Sequence, residues 1–248
     1  LSMARCGAAG WLEGARWIAS PNFDLRPAGM PIRLLVVHAI SLPPEQFGGP
    51  GVLALFGNRL DPAAHPYYAG IAHLRVSAHF FIRRDGELIQ CVPALARAWH
   101  AGLSRWRDCE RCNDFSIGVE LEGSDTQPFT DAQYAQLSRL IDDLAAQYPL
   151  EDVVGHSEIA PGRKTDPGER FDWARLAAAG IGLWPHAAPH AEAENADVRI
   201  MLGAYGYGIT DPGQALTAFQ RHFRPESFDG RADGETVGRL KALLGLCG

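Results

Sequence analysis

Arg33-Leu34-Leu35-Val36-Val37-His38 is the stretch on which the fold turns. Its run of aliphatic residues has no polar alternation, so both faces of this strand must be covered, as in a sheet packed between helices. Working outward, residues 79–83 and 87–92 flank Arg84-Asp85-Gly86, and Asp-Gly between two β-rich runs predicts a hairpin. Phe115, Ile117, Val119 and Leu121 alternate with Ser116, Gly118, Glu120 and Glu122, which predicts a strand whose second face, small and then acidic, lines something open. Thr130 and Gln133 form a capping box ahead of Tyr134, Leu137, Leu140, Ile141, Leu144 and Tyr148, an amphipathic helix that stops at Pro149. Val153-Val154-Gly155 reads as a short strand delivering His156 onto a loop rich in Pro and Gly, residues 160–168, before a helix near 172–179.

Between Pro185 and Asp197 the apolar pattern lapses, which marks a linker over residues 186–197. Beyond it, helical patterns run from Val198 to Tyr205, Gln214 to Phe223 and Glu235 to Leu246. The expected fold class is therefore α/β: a central mixed β-sheet flanked by helices over residues 1–185, with a small all-α C-terminal domain over 198–248. A unit of that size buries only a modest core, which suits a binding module better than a catalytic one.

Composition narrows the function. At 248 residues, 46% hydrophobic and 21% charged, the chain is an ordinary globular protein. Its net charge of −6 makes nucleic acid an unlikely partner class, and no membrane span is expected because no apolar run is long enough. The first ten residues hold no export signal, so the chain reads as soluble and unexported. Five cysteines are too sparse for a disulfide framework and fit a reducing compartment. Cys109-x-x-Cys112 lacks a second pair and does not follow a strand, and reads as two ordinary thiols.

Position selects among the nine histidines. His38 ends a buried strand, where open sheets expose ligand crevices. His156 ends another, with Asp166 ten residues further on. Two imidazoles and one carboxylate are a zinc set that leaves a position for water. Lys164 is one of only two lysines; its compact charge suits a developing oxyanion, and a solvated loop lysine is the alternative. Glu120 is a candidate general base, with Glu122 on the same strand face competing for the role.

At this point residues 11–184 resemble the AmpD-type zinc N-acetylmuramoyl-L-alanine amidases. The blocks that carry the likeness include Leu35-Val36-Val37-His38, Phe47-Gly48-Gly49-Pro50, Leu74-Arg75-Val76-Ser77-Ala78-His79, Ala98-Trp99-His100-Ala101-Gly102, Arg111-Cys112-Asn113-Asp114-Phe115 and Arg163-Lys164-Thr165-Asp166-Pro167-Gly168. The resemblance implies Zn2+ held by His38, His156 and Asp166, with Glu120 as the base acting on water at the metal and Lys164 stabilising the oxyanion. It further implies that Arg75, Trp99, Arg111 and Arg163 lie near a muropeptide or peptidoglycan substrate, Trp99 having core packing as its alternative. One departure is Ala39, where the member compared has Asn, and this removes a polar contact to substrate.

Residues 218–225 and 229–236 resemble small helical peptidoglycan-binding modules, with a helical cap on the catalytic part as the alternative. The implied reaction is cleavage of the amide between N-acetylmuramic acid, in its 1,6-anhydro form, and L-alanine during cell-wall recycling in the cytoplasm. An amidase acting on intact sacculus in the periplasm, and a non-catalytic recognition protein on the same fold, are the rival readings. Oligomeric state is not legible.

Overall fold

A computed structural model describes residues 7, 10–124, 126–185 and 195–247. In chain order come β1 (Arg16–Trp17), β2 (Phe23–Leu25), β3 (Leu34–Ile40), α1 (Gly51–Phe56), α2 (Pro66–Ala69), β4 (Phe80–Ile82), β5 (Leu88–Gln90) and β6 (Ala96–Ala98). There follow β7 (Arg105–Trp106), β8 (Cys109–Glu110), β9 (Ser116–Glu122), α3 (Asp131–Ala145), β10 (Asp152–Gly155), α4 (His156–Ile159) and α5 (Trp173–Ala178). The chain continues through α6 (Asn195–Tyr205), α7 (Pro212–Phe223) and α8 (Gly234–Leu246).

Six strands form one mixed sheet in the order β1-β5-β4-β9-β3-β10. β3 lies between β9 and β10, parallel to both, and β4 and β5 make the antiparallel hairpin. Alternation on the strands sorts the core into layers. Leu35, Val37, Ile117, Val119 and Leu121 face a first cluster with Leu137, Leu140 and Leu144 of α3 and Trp173 of α5. The reciprocal capping box at Thr130 and Gln133 starts α3 and sets its apolar stripe against the sheet. On the second face, Phe81 and Ile89 pack with Val52, Leu55 and Phe56. Leu34, Val36 and Val154 pack instead with Val198, Leu202, Leu216, Phe219, Phe223 and Leu240 of the C-terminal helices. Between these two clusters the second face of β9 presents Ser116, Gly118 and Glu120.

Several expectations are corrected. His156 does not sit on a loop: it opens α4, because the Glu158 carboxylate accepts the Gly155 N–H at 2.6 Å and closes that turn. Asn195–Asp197, placed in the linker, are helical, while residues 186–194 lie outside the described residues. Cys109 does lie in a strand, the short β8, and its thiol accepts a hydrogen bond from Arg33 at 2.8 Å. The helices after residue 195 share one buried cluster with the sheet rather than holding a modest core of their own. Ala39 packs against the first-face cluster, so the departure there falls away from the side His38 occupies. Among the described residues, no helix is long and apolar enough to cross a membrane.

Candidate metal centre

The register of β3 and β9 sets His38 directly beside Glu120, and adjacent residues of parallel strands point to the same face. β10 follows β3 on its other side, so His156, the first residue beyond β10, arrives next to His38. Asp166 returns over both from the loop after α4, its carbonyl accepting the Ser157 N–H at 2.9 Å. Gly155 permits this return, since a Cβ there would stand 2.8 Å from Pro167 Cδ.

Three donor atoms converge as a result. His38 Nδ1 lies 3.0 Å from His156 Nδ1, and Asp166 Oδ2 lies 3.2 Å from the first and 3.1 Å from the second. A tetrahedral ion bound at about 2.0–2.1 Å separates its ligands by roughly 3.3–3.4 Å, so the triangle is close to metal-ready. Two imidazole lone pairs and a carboxylate at this separation repel unless a cation or proton lies among them, and the donor set therefore fits a divalent metal. Among the described residues, these three form the group able to hold an ion.

Outer partners orient the ligands. His156 Nε2 donates to the Ala101 carbonyl at 3.2 Å, which leaves Nδ1 free to ligate. His38 Nε2 stands 2.9 Å from His100 Nδ1, and His100 Nε2 stands 3.3 Å from Ser116 Oγ. The pairing that leaves a lone pair on His38 Nδ1 has His38 donating to His100 and His100 donating to Ser116. Gly118 makes room for the His100 ring, which a Cβ would meet at 2.5 Å. Neither His100 nor Gly118 was singled out from sequence; the signals were the Trp99-His100-Ala101 block and the small residues that share a strand face with Glu120.

Electrostatics follow from burial. Desolvation, reinforced by the neighbouring His156, pushes the His38 pKa down to about 4. Burial opposes ionisation of Asp166, but His156 and His38 outweigh it and hold the carboxyl well below the usual carboxylate range. Glu120 moves the other way: burial and then the Asp166 charge raise it well above an ordinary glutamate, with Lys164 opposing. Its Oε2 is out of water with no hydrogen-bond partner among the described residues.

Glu122 is separated from Glu120 by its contacts. It is buried, accepts the Gly48 and Arg84 N–H groups at 2.6 and 3.2 Å, and sits 3.7 Å from Arg83. The acidic face thus opens at Glu120 alone, and Glu122 ties loops together. Lys164 is exposed, with its charge reaching both Glu120 and His38. Arg163 Nη2 donates to the Ala101 and Leu103 carbonyls, both at 2.7 Å, so it braces the loop that holds His156. Trp99 is half-buried, and its Nε1 has no hydrogen-bond partner among the described residues. Arg75 is exposed and bonds the carbonyls of His73 and Leu74. Arg111 is exposed, in left-handed backbone with φ of 59°, and pairs with Asp114.

Known proteins resemble this chain in sequence and in fold. A family model described as N-acetylmuramoyl-L-alanine amidase matches residues 28–169. The 1,6-anhydro-N-acetylmuramyl-L-alanine amidase AmpD of Citrobacter freundii is 60% identical over 171 residues, 68% of this chain and 91% of that protein. A crystal structure of a selenomethionine AmpD derivative is 59% identical, with a TM-score of 0.67 over 68% of this chain and 96% of that one. The Escherichia coli amidase AmiD, in complex with anhydro-N-acetylmuramic acid-L-Ala-D-gamma-Glu-L-Lys, is 32% identical with a TM-score of 0.70 over 98% of both chains. A family model that spans more than half of the chain and a relative 60% identical to it place the chain in the N-acetylmuramoyl-L-alanine amidase family.

Proposed function

We propose that the protein hydrolyses the amide joining N-acetylmuramic acid, in its 1,6-anhydro form, to L-alanine of the stem peptide, as a recycling enzyme of the cytoplasm. The single observation that supports this most is the convergence of His38 Nδ1, His156 Nδ1 and Asp166 Oδ2 beside Glu120. These three residues would hold Zn2+, which when bound polarises the scissile carbonyl and acidifies water.

The rest of the chemistry belongs to the chain. Glu120, raised in pKa and without a partner at Oε2 among the described residues, takes the proton of the attacking water and returns it to the alanine nitrogen as the C–N bond breaks. Lys164 donates to the oxyanion that develops on the lactyl oxygen. His100 and the Ala101 carbonyl keep His38 and His156 turned toward the reaction. Arg75, Trp99 and Arg111 are positioned by resemblance along the muropeptide; Arg163 acts by bracing residues 101–103. Residues 1–185 carry this catalysis, and residues 198–248 are the helical unit that resembles peptidoglycan-binding modules.

Zinc-loaded protein is incubated with purified anhydro-muropeptide and, separately, with whole sacculi, and mass spectrometry follows release of free stem peptide. Rapid release from the soluble fragment is the expected result. Binding without release would leave a recognition protein, and release from sacculi alone would overturn the recycling assignment.

A further inference from the structure

The C-terminal helical region touches the candidate metal centre's scaffold at a buried polar point. Glu158, two residues beyond His156, is buried, and its carboxylate has three partners. Oε2 accepts the Gly155 N–H at 2.6 Å, which closes the turn on which His156 stands. The other two partners come from the far end of the chain: Tyr207 Oη donates to Oε1 at 2.8 Å, and His222 Nδ1 lies 2.7 Å from Oε2. His222 is itself clamped, its ring stacked 4.0 Å from Trp173 and 3.8 Å from Phe223. Tyr207 is fully enclosed by aromatic neighbours, with Trp106 at 5.4 Å and Phe219 at 6.3 Å between ring centroids.

We infer that Tyr207 and His222 are positioning residues for the metal centre. They act through Glu158: the two donors hold its carboxylate in the one rotamer that caps Gly155, and the capped turn fixes the direction in which His156 presents Nδ1. A buried carboxylate left with fewer donors is costly to keep in place and turns toward water, which releases the Gly155 N–H. The helical region that carries Tyr207 and His222 is then part of the frame of the ligand set, whatever it also binds. The inference rests on the zinc reading of His38, His156 and Asp166, and its test separates the two.

Zinc affinity is measured on the full chain by competition with a chelating dye, together with the visible spectrum of the cobalt-substituted protein and the melting temperature of the metal-free form. Tyr207→Phe removes one hydroxyl, and His222→Leu removes one donor. Each is expected to weaken zinc by up to about tenfold and to alter the cobalt bands, no more than the loss of a direct outer partner of a ligand would, because the effect passes through Glu158 and the Gly155 turn. His222→Asn, whose amide nitrogen stands where Nδ1 did, is expected to recover most of the affinity. Leu240→Ala, a core truncation in α8, which carries neither residue but shares the buried cluster of Tyr207, is the control: it lowers the melting temperature and leaves zinc affinity and cobalt bands unchanged. Wild-type affinity and bands in Tyr207→Phe and His222→Leu, or an equal loss in Leu240→Ala, would overturn the inference. Failure of the wild-type chain to bind zinc at all would overturn the metal reading instead.

Discussion

Substituting Gly118 by alanine should damage the metal centre without touching a ligand. The new Cβ would lie 2.5, 2.6 and 2.7 Å from Cγ, Nδ1 and Cδ2 of His100, where ordinary contact begins at 3.4 Å, so the ring must retreat by roughly 0.9 Å. His100 Nδ1 is 2.9 Å from His38 Nε2, and that retreat takes the pair beyond hydrogen-bond range. His38 is buried, so its Nε2–H is left unpaired away from water, at a cost of about 1–3 kcal/mol. Loss of such an outer partner corresponds to a zinc affinity lower by about 10–100-fold. Chelator competition measures this directly, and a double-mutant cycle isolates the cause. With His100→Ala already in place the clash is gone, so Gly118→Ala should add almost nothing further. Full zinc affinity in Gly118→Ala, or additive losses in the double variant, would refute the steric chain from Gly118 through His100 to His38.

Other outcomes follow from the same geometry. Lys164→Ala should keep zinc yet lose about 10²–10³ in kcat, as measured on anhydro-muropeptide, because it removes an oxyanion donor and no ligand. Asp166→Ala should lose the metal, and elemental analysis finding full occupancy would exclude it as a ligand. Glu120→Gln should abolish turnover in a protein that melts normally, whereas Glu122→Gln should lower the melting temperature and spare activity per folded molecule, since only Glu122 binds neighbouring loops. In metal-free protein, burial holds His38, His79 and His100 neutral, with pKa values below 6.5 and His38 at about 4. The unfolded chain takes up protons below about pH 6.5 that the folded chain refuses. The stability these three histidines contribute is therefore full above that pH and falls as the pH drops below it, by at most about 1.4 kcal/mol per pH unit for each. Urea midpoints at pH 7.5 and 5 test this, and equal midpoints would show that these imidazoles are not held neutral.

Much of the backbone was legible because its signals are local. The aliphatic run to His38, the Asp-Gly hairpin and the capping box at Thr130 each report on a few adjacent residues, and each element formed where its pattern lies. The ranking of Glu120 against Glu122 was not legible, because both occupy the same parity on one strand. Burial and the loops at Gly48 and Arg84 separate them, and those loops are remote in sequence. The helical turn at His156 was hidden for a related reason: four residues carry too little periodicity, and a side-chain cap rather than propensity forms it.

By itself, the order of amino acids determined which segments are strands and helices, which faces are apolar, and which residue types are chemically able to ligate, take a proton or steady an oxyanion. Only the tertiary structure decided that His38, His156 and Asp166 meet within 3.2 Å, that His100 orients the first of them, and that the C-terminal helices lean on Glu158 beside the second. The division has a physical cause. Periodicity and capping act over one or two turns of chain, whereas convergence at a site depends on sheet order, crossover and the packing of distant side chains, which no short window encodes.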